Sequence, residues 1–309
     1  MRAIMLKVAI VQSAPVFMDL ERSLARVVKL IAGAASQGAK LVVFGETWLP
    51  GYPAWLDYCP GAALWDHGPT KEVFGELRRN SLTIDGAATR TLASAAADHQ
   101  VVLVIGVNER VDHGPGNGTL YNSLLTFDSD GSLLSHHRKL VPTFTERLVW
   151  GQGDGRGLTA VDTSAGRVGG LICWEHWMPL ARQAMHDSGE QVHVAVWPTA
   201  HEVHQLASRH YAFEGRCFVL AVGLLMKVGD IPEQLEVSSE LREPPDRLLL
   251  RGGSSIIGPD GRYVVEPVFD EEQVIVAELE LNKIDEERMA LDVSGHYQRP
   301  DLFDFRVKV

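Results

Sequence analysis

Three residues of this chain have types and settings that could carry out nucleophilic chemistry together: Cys173, Glu46 and Lys139. Cys173 ends the apolar run Val168-Gly-Gly-Leu-Ile172, and Pro179 stands where a following helix would open. A thiol between a strand end and a helix N-terminus is expected at the exposed rim of a sheet. There the helix dipole favours its thiolate, the form that attacks carbon. A free cysteine is otherwise a small buried hydrophobe. The apolar run Cys217-Phe-Val-Leu-Ala-Val222 assigns that role to Cys217, and Cys59, in the turn Tyr58-Cys-Pro-Gly61, also reads as structural.

Glu46 follows Leu41-Val-Val-Phe-Gly45, again at the end of a buried strand. Ligands of open α/β sheets gather beyond the carboxyl ends of strands. A carboxylate there is poorly solvated, and its pKa rises towards the value a general base needs. Lys139 closes His136-His-Arg-Lys139, where a lysine is ordinarily a surface charge. Each signal is weak alone.

Other patterns carry less. Gly151-Gln-Gly-Asp-Gly-Arg-Gly157 is glycine-rich but has neither a phosphate-loop lysine nor the dinucleotide spacing, and no apolar strand precedes it. His201-Glu-Val-His204 spaces its histidines by three and offers no third ligand, so no metal is expected. Trp48, Trp55, Trp150, Trp174 and Trp177 gather around the three reactive positions, where an aromatic serves either the core or a pocket wall.

The elements that must position these groups alternate in type. Leu6–Val11, Leu41–Phe44, Val101–Val107, Val168–Ile172, Val192–Val196 and Phe218–Val222 are short and β-branched, as buried strands are. Asp19–Ala35, Asp85–Asp98, Pro179–Ser188 and Glu202–Arg216 fit amphipathic helices, with Asp19 and Asp85 as N-caps. Hairpins are predicted across Asp128-Ser-Asp-Gly131 and Gly258-Pro-Asp-Gly261. The class is α/β with a mixed sheet. No internal repeat or low-complexity stretch is visible, and 1–309 reads as a single domain, with a surface loop at 229–247 and a C-terminal tail from about 292.

The 309 residues are 45% hydrophobic and carry a formal charge of −11, a surface that repels phosphate backbones and excludes nucleic acid as the expected partner. Three cysteines cannot close a disulfide framework, which fits a reducing compartment and a cytoplasmic location. Lys7 and Gln12 bound the first apolar run too tightly for a signal-peptide core. The longest apolar run, Cys217 to Met226, is about half the ~20 residues a membrane span needs.

Taken together, the segments resemble a known family. Phe44-Gly-Glu-Thr-Trp-Leu-Pro-Gly-Tyr-Pro53 resembles the glutamate motif of the nitrilase (carbon–nitrogen hydrolase) superfamily. His137-Arg-Lys-Leu-Val-Pro-Thr143, continuing through Glu146-Arg-Leu-Val-Trp-Gly-Gln-Gly-Asp154, resembles its lysine motif, and Gly170-Leu-Ile-Cys-Trp-Glu-His176 its cysteine motif. The order is the family's, and the similarity extends through Arg209–Val219 and Gly295–Asp301. The tryptophan after Cys173 and the aromatic segment after Glu46 resemble the true nitrilase branch.

The resemblance implies an α-β-β-α sandwich assembled as a homodimer or larger homo-oligomer. It implies hydrolysis of a nitrile to an acid and ammonia without a cofactor. Cys173 would be the nucleophile, Glu46 the base, Lys139 the stabiliser of developing charge, and Glu146 the acid that holds Lys139. A buried lysine between two carboxylates is physically reasonable, since any of these charges alone would be costly to bury. Trp150, Trp174 and Trp177 are expected to wall the substrate pocket. An amidase or N-carbamoyl hydrolase would use the same three residues, and a binding or scaffold protein could share the fold.

Overall fold

Alternate residues of β1 (Met5–Gln12) enter two different cores: Ala9 and Val11 join one apolar cluster, Val8 and Ile10 another. β2 (Leu41–Phe44) and β3 (Val102–Arg110) divide in the same way, with Val42, Phe44, Leu103 and Ile105 on one side and Val43 and Val104 on the other. Because side chains alternate across a strand, a sheet built this way must be covered on both faces. The computed structural model, which describes residues 3–309, shows what covers it.

In chain order the first half runs β1, α1 (Leu20–Ser36), β2, α2 (Trp55–Tyr58), α3 (Gly68–Asn80), α4 (Ala87–His99), β3, β4 (Leu120–Phe127) and β5 (Leu133–Arg138). Then follow β6 (Val161–Thr163), β7 (Gly166–Ile172), α5 (Pro179–Asp187), β8 (Val192–Trp197), α6 (Glu202–Gly215), β9 (Phe218–Gly223) and β10 (Leu225–Lys227). β11 (Leu248–Ile257), β12 (Tyr263–Phe269), β13 (Gln273–Glu280) and α7 (Lys283–Arg288) complete the order. One sheet is ordered β13-β1-β2-β3-β4-β5; the other is β10-β11-β9-β8-β7-β6, with β12 on β11. β1, β2 and β3 are parallel neighbours, as are β7, β8 and β9.

Helices α1, α3 and α4 bury Val27, Ile31, Val73, Leu77 and Leu92 against the outer face of the first sheet. Val8, Ile10 and Val43 meet Leu171, Val194 and Leu220 between the sheets, and α5 and α6 contribute Met185 and Tyr211 on the far side. The fold is therefore an α-β-β-α sandwich. Each fully buried aliphatic in these layers contributes roughly 1.5–3 kcal/mol, so the central strands form a rigid base for whatever projects from their ends.

Asp19 caps α1, accepting a hydrogen bond from the Arg22 N–H at 2.9 Å. Asp85 does not cap α4. The Gly86 N–H closes a turn onto the Thr83 carbonyl, and the helix starts behind Gly86 with no side-chain cap. The sequence reading did not include α3 or β13. β13 pairs antiparallel with β1 along its full length, placing a half-polar strand at the sheet edge. Residues 231–247 form no helix or strand, although Ile231 and Leu235 are buried. Among the described residues, no helix is long and apolar enough to cross a membrane.

Candidate active site

Glu46 lies just past the carboxyl end of β2 and is fully buried. The chain can pass there because β3 has a glycine alongside. A Cβ on Gly106 would stand 2.3 Å from the Gly45 carbonyl oxygen and 2.5 Å from the Thr47 nitrogen. Lys139 follows β5; its N–H bonds the Asn122 carbonyl at 2.8 Å and its carbonyl accepts the Gly153 N–H at 2.8 Å. A Cβ at Gly153 would lie 2.2 Å from the Arg138 carbonyl, so this part of the glycine-rich run serves close packing against the lysine segment. Glu146 sits in the 3-10 turn Phe144–Leu148, where its carboxylate accepts the Thr143 N–H at 2.7 Å.

The lysine ammonium joins these elements. Lys139 Nζ lies 3.0 Å from Glu46 Oε1, and 3.0 and 2.7 Å from the two oxygens of Glu146. Asn122 donates to Glu46 Oε1 at 2.7 Å, and the Tyr52 hydroxyl donates to Glu146 Oε1 at 2.9 Å. Glu46 Oε2 is buried without a hydrogen-bond partner. Ligating atoms of Glu46, Glu146 and Cys173 all lie within 4.8 Å of one another. That donor set could suit a cation, and the Lys139 ammonium, bonded to both carboxylates, fills the role.

Cys173 directly follows β7 with φ of 53°, a left-handed conformation that costs a non-glycine residue about 1–3 kcal/mol and is held by its surroundings. Glu175 supplies part of that hold. It accepts from the Ile172 N–H at 2.7 Å, the Leu140 N–H at 2.7 Å and His137 at 2.9 Å, clamping the cysteine segment to the lysine segment.

The charges explain how the site rests. Burial raises the Glu46 pKa to about 7, even though Lys139 pulls it down. Burial also pushes the Cys173 thiol well above its usual value, and the Glu46 charge adds to this against the opposing pull of Lys139. Burial alone would lower Lys139, but the facing Cys173, Glu46 and Glu146 hold it above its ordinary pKa. This corrects the expectation of a rim-exposed thiolate supported by a helix dipole. Cys173 is buried, and α5 starts six residues later, beyond a 3-10 turn. The resting thiol keeps its proton and needs a base, and the unpaired Glu46 oxygen is the nearby candidate.

A cavity of about 280 Å³ opens onto Cys173, with Tyr52, Tyr58, Phe144, Trp174, His201 and Leu250 in its wall. Of the three tryptophans expected there, only Trp174 lines it. Trp150 stands one layer back, edge-on to Tyr52 at 5.8 Å, with its indole N–H on Asn108 at 2.8 Å. Its hydrogen bond ties it to β3 and leaves the wall to Tyr52. Trp177 is 39% exposed and outside the cavity lining, because the 3-10 turn carries it past the rim. Sequence reasoning missed Asn122, Tyr52 and Glu175 as site residues. A lone asparagine inside the apolar strand Leu120–Phe127 was the available signal for the first. His201 and His204, discounted as metal ligands, line the cavity instead.

The carbon–nitrogen hydrolase family model matches residues 7–289. The chain is 39% identical over 300 residues to an aliphatic nitrilase of Sinorhizobium fredii, covering 96% of this chain and 94% of that one. It is 36% identical over 305 residues to a bifunctional nitrilase/nitrile hydratase of Nicotiana tabacum, covering 98% and 86%. Its fold matches a carbon–nitrogen hydrolase of Helicobacter pylori with a TM-score of 0.73 at 20% identity, over 96% of this chain and 97% of that one. With fold, motif order and relatives in agreement, this chain belongs to the carbon–nitrogen hydrolase family, on its nitrilase branch, and is a hydrolase of carbon–nitrogen bonds.

Proposed function

We propose that the substrate is an organic nitrile, hydrolysed to the carboxylic acid and ammonia through covalent intermediates on Cys173. The observation that carries this reading is the buried, unpartnered Glu46 Oε2 beside a neutral thiol. Glu46 takes the thiol proton as sulfur bonds to the nitrile carbon, and passes it to nitrogen to give a thioimidate. Lys139 and the Trp174 N–H meet the negative charge that develops during addition. Glu46 then activates a water that adds to the same carbon. Collapse breaks the carbon–nitrogen bond and releases ammonia, leaving a thioester. A second water cleaves the thioester to the acid and restores the thiol. Glu146 and Tyr52 hold Lys139 in place throughout. The sum is one nitrile and two waters to one acid and one ammonia, with every proton moved by these side chains. No cofactor enters these steps.

The relatives' names support the nitrile reading, since both carry nitrilase in their description. Rapid quenching with intact-mass analysis tests it. The wild-type chain should gain an acyl or imidate mass that maps to Cys173 and is missing from Cys173→Ala. A turning-over enzyme that never carries such a mass would rule out covalent catalysis.

For assembly, we read a homodimer as the smallest unit, because α5 and α6 leave Leu180, Leu206 and Phe213 exposed on one layer of the sandwich. We read 1–309 as one domain, supported by β13 returning to pair with β1. Free Cys59, Cys173 and Cys217 support a reducing, cytoplasmic setting.

A further inference from the structure

Behind the nucleophile, a buried chain of titratable groups begins at its own backbone. The Cys173 carbonyl oxygen lies 2.7 Å from His176 Nδ1; His176 Nε2 lies 3.0 Å from His193 Nε2; His193 Nδ1 lies 2.8 Å from Glu190 Oε2. His176, His193 and Glu190 are each 1% exposed or less. Tyr211 donates to the other Glu190 oxygen and stacks its ring on His193 at 3.7 Å. None of these four residues takes part in the steps above.

The positions of the protons follow from what each partner can accept. A carbonyl oxygen only accepts, so His176 Nδ1 carries hydrogen. Burial and the neighbouring His193 hold the His176 pKa well below its usual value, so the ring is neutral and its Nε2 is a bare acceptor. His193 must therefore donate from Nε2. Glu190 is ionised: burial opposes this, but His193 and His186 draw its pKa down to about 2. The contact of His193 Nδ1 with Glu190 Oε2 at 2.8 Å anchors that ring at its far end. His193 Nε2 and His176 Nδ1 thus both donate in the direction of Cys173.

The bond at the end of this chain has a specific consequence. The Cys173 C=O and the Trp174 N–H belong to one planar peptide unit, so fixing the oxygen fixes the direction of the N–H. Burial holds the Cys173 thiol pKa up, and the Trp174 N–H, next to it in the chain, pulls the other way. The residue before it is held at φ of 53°, a conformation the local chain would not choose alone.

We propose that His176, locked in one tautomer by His193 and Glu190, is a positioning residue that aims the Cys173–Trp174 peptide N–H at the anion formed when Cys173 adds to substrate. The proposal rests on the function proposed above for covalent addition at Cys173. A purely structural role for the network would cost stability and leave the chemistry of each folded molecule unchanged.

Wild type, His176→Ala and His176→Asn, as full-length protein, separate these roles. Asparagine can present an N–H near the place of His176 Nδ1 while lacking any atom at Nε2. Three quantities are read: kcat and KM on a nitrile substrate, Kd for an aldehyde of the same shape, and the rate of Cys173 alkylation by iodoacetamide. The aldehyde adds sulfur to its carbonyl carbon and places an oxygen against the Trp174 N–H. Alkylation forms a carbon–sulfur bond and expels iodide, and no oxyanion forms at that N–H.

His176→Ala should lower kcat at least about tenfold, the lower end of what losing an oxyanion donor costs, with KM little changed. Aldehyde affinity should fall by a similar factor, whereas alkylation, which forms no oxyanion, should slow far less. His176→Asn should recover most of kcat and of the aldehyde affinity. Wild-type kcat and aldehyde affinity in folded His176→Ala would overturn the proposal, as would a fall of all three readouts in proportion to unfolding. If His176→Ala does not fold, loss of aldehyde affinity in a folded His176→Asn overturns it and retention supports it. A wild type that binds the aldehyde but turns over no nitrile would sink the nitrile reading alone, and the aldehyde affinities would still decide the role of His176.

Discussion

Glu46 gives one carboxylate oxygen to Lys139 at 3.0 Å and keeps the other buried with no partner. Breaking such a buried pair from one side leaves an uncompensated charge, which typically costs 3–5 kcal/mol. The arrangement persists because Lys139 is shared with Glu146, and because Asn122 and Tyr52 each donate one further hydrogen bond, to Glu46 Oε1 and Glu146 Oε1. One oxygen is therefore anchored while the other stays available for a proton.

Only Cys173 combines a strained backbone with a facing base and ammonium. Cys173→Ala should abolish turnover by several orders of magnitude, as loss of a covalent nucleophile does. Cys59→Ala and Cys217→Ser should keep most of kcat, although Cys217 lies in the core and its variant should melt earlier. Steady-state rates on folded protein check both statements. Appreciable activity in Cys173→Ala would remove the cysteine from the chemistry.

Lys139→Arg keeps the charge but replaces a compact ammonium with a planar fork in a fully enclosed space between two carboxylates. We expect almost no turnover and a lower melting temperature. A kcat above about a third of wild type would show that the site accepts any cation and that the tight geometry is dispensable.

The pH dependence follows from Glu46, whose pKa burial raises to about 7. The base must be ionised to take the thiol proton, so kcat/KM should fall as pH drops through about 7 and level off above it. Glu46 and Cys173 face each other, so the apparent value belongs to the pair. A profile flat across neutrality, measured in constant ionic strength, would mean that another group accepts the proton.

Trp174 lines the cavity whereas Trp177 lies outside its lining, partly exposed. Trp174→Ala should reorder the preference among nitriles of different bulk. Trp177→Ala should leave the order unchanged. Relative kcat/KM values for a small aliphatic, a branched and an arylaliphatic nitrile decide it; reordering by Trp177→Ala alone would reverse the assignment.

Much of the central sheet and of the reactive cluster is legible in the sequence. The strand Leu41–Phe44 is legible because a short apolar run buried on both faces ends where its glycine and acid begin. Cys173, Glu46, Lys139 and Glu146 converge as the motif order implied. What escaped was long-range placement. Periodicity shows that β1 has two apolar faces but not that β13 borders it. It also offers no sign that Trp150 would find Asn108 or that Cys173 would be buried with its proton. These outcomes depend on partners distant in the chain, and local sequence carries no record of such distances.

The most direct test of the central claim is product analysis from purified enzyme on a panel of aliphatic, arylaliphatic and aromatic nitriles and their matching amides, with acid, amide and ammonia all quantified at early conversion. The account predicts that at least one nitrile is converted mainly to acid, with one ammonia per acid, and that the matching amide reacts far more slowly. Rapid hydrolysis of amides or N-carbamoyl compounds with no nitrile consumed would contradict it, and would assign the same Glu46, Lys139 and Cys173 to an amidase.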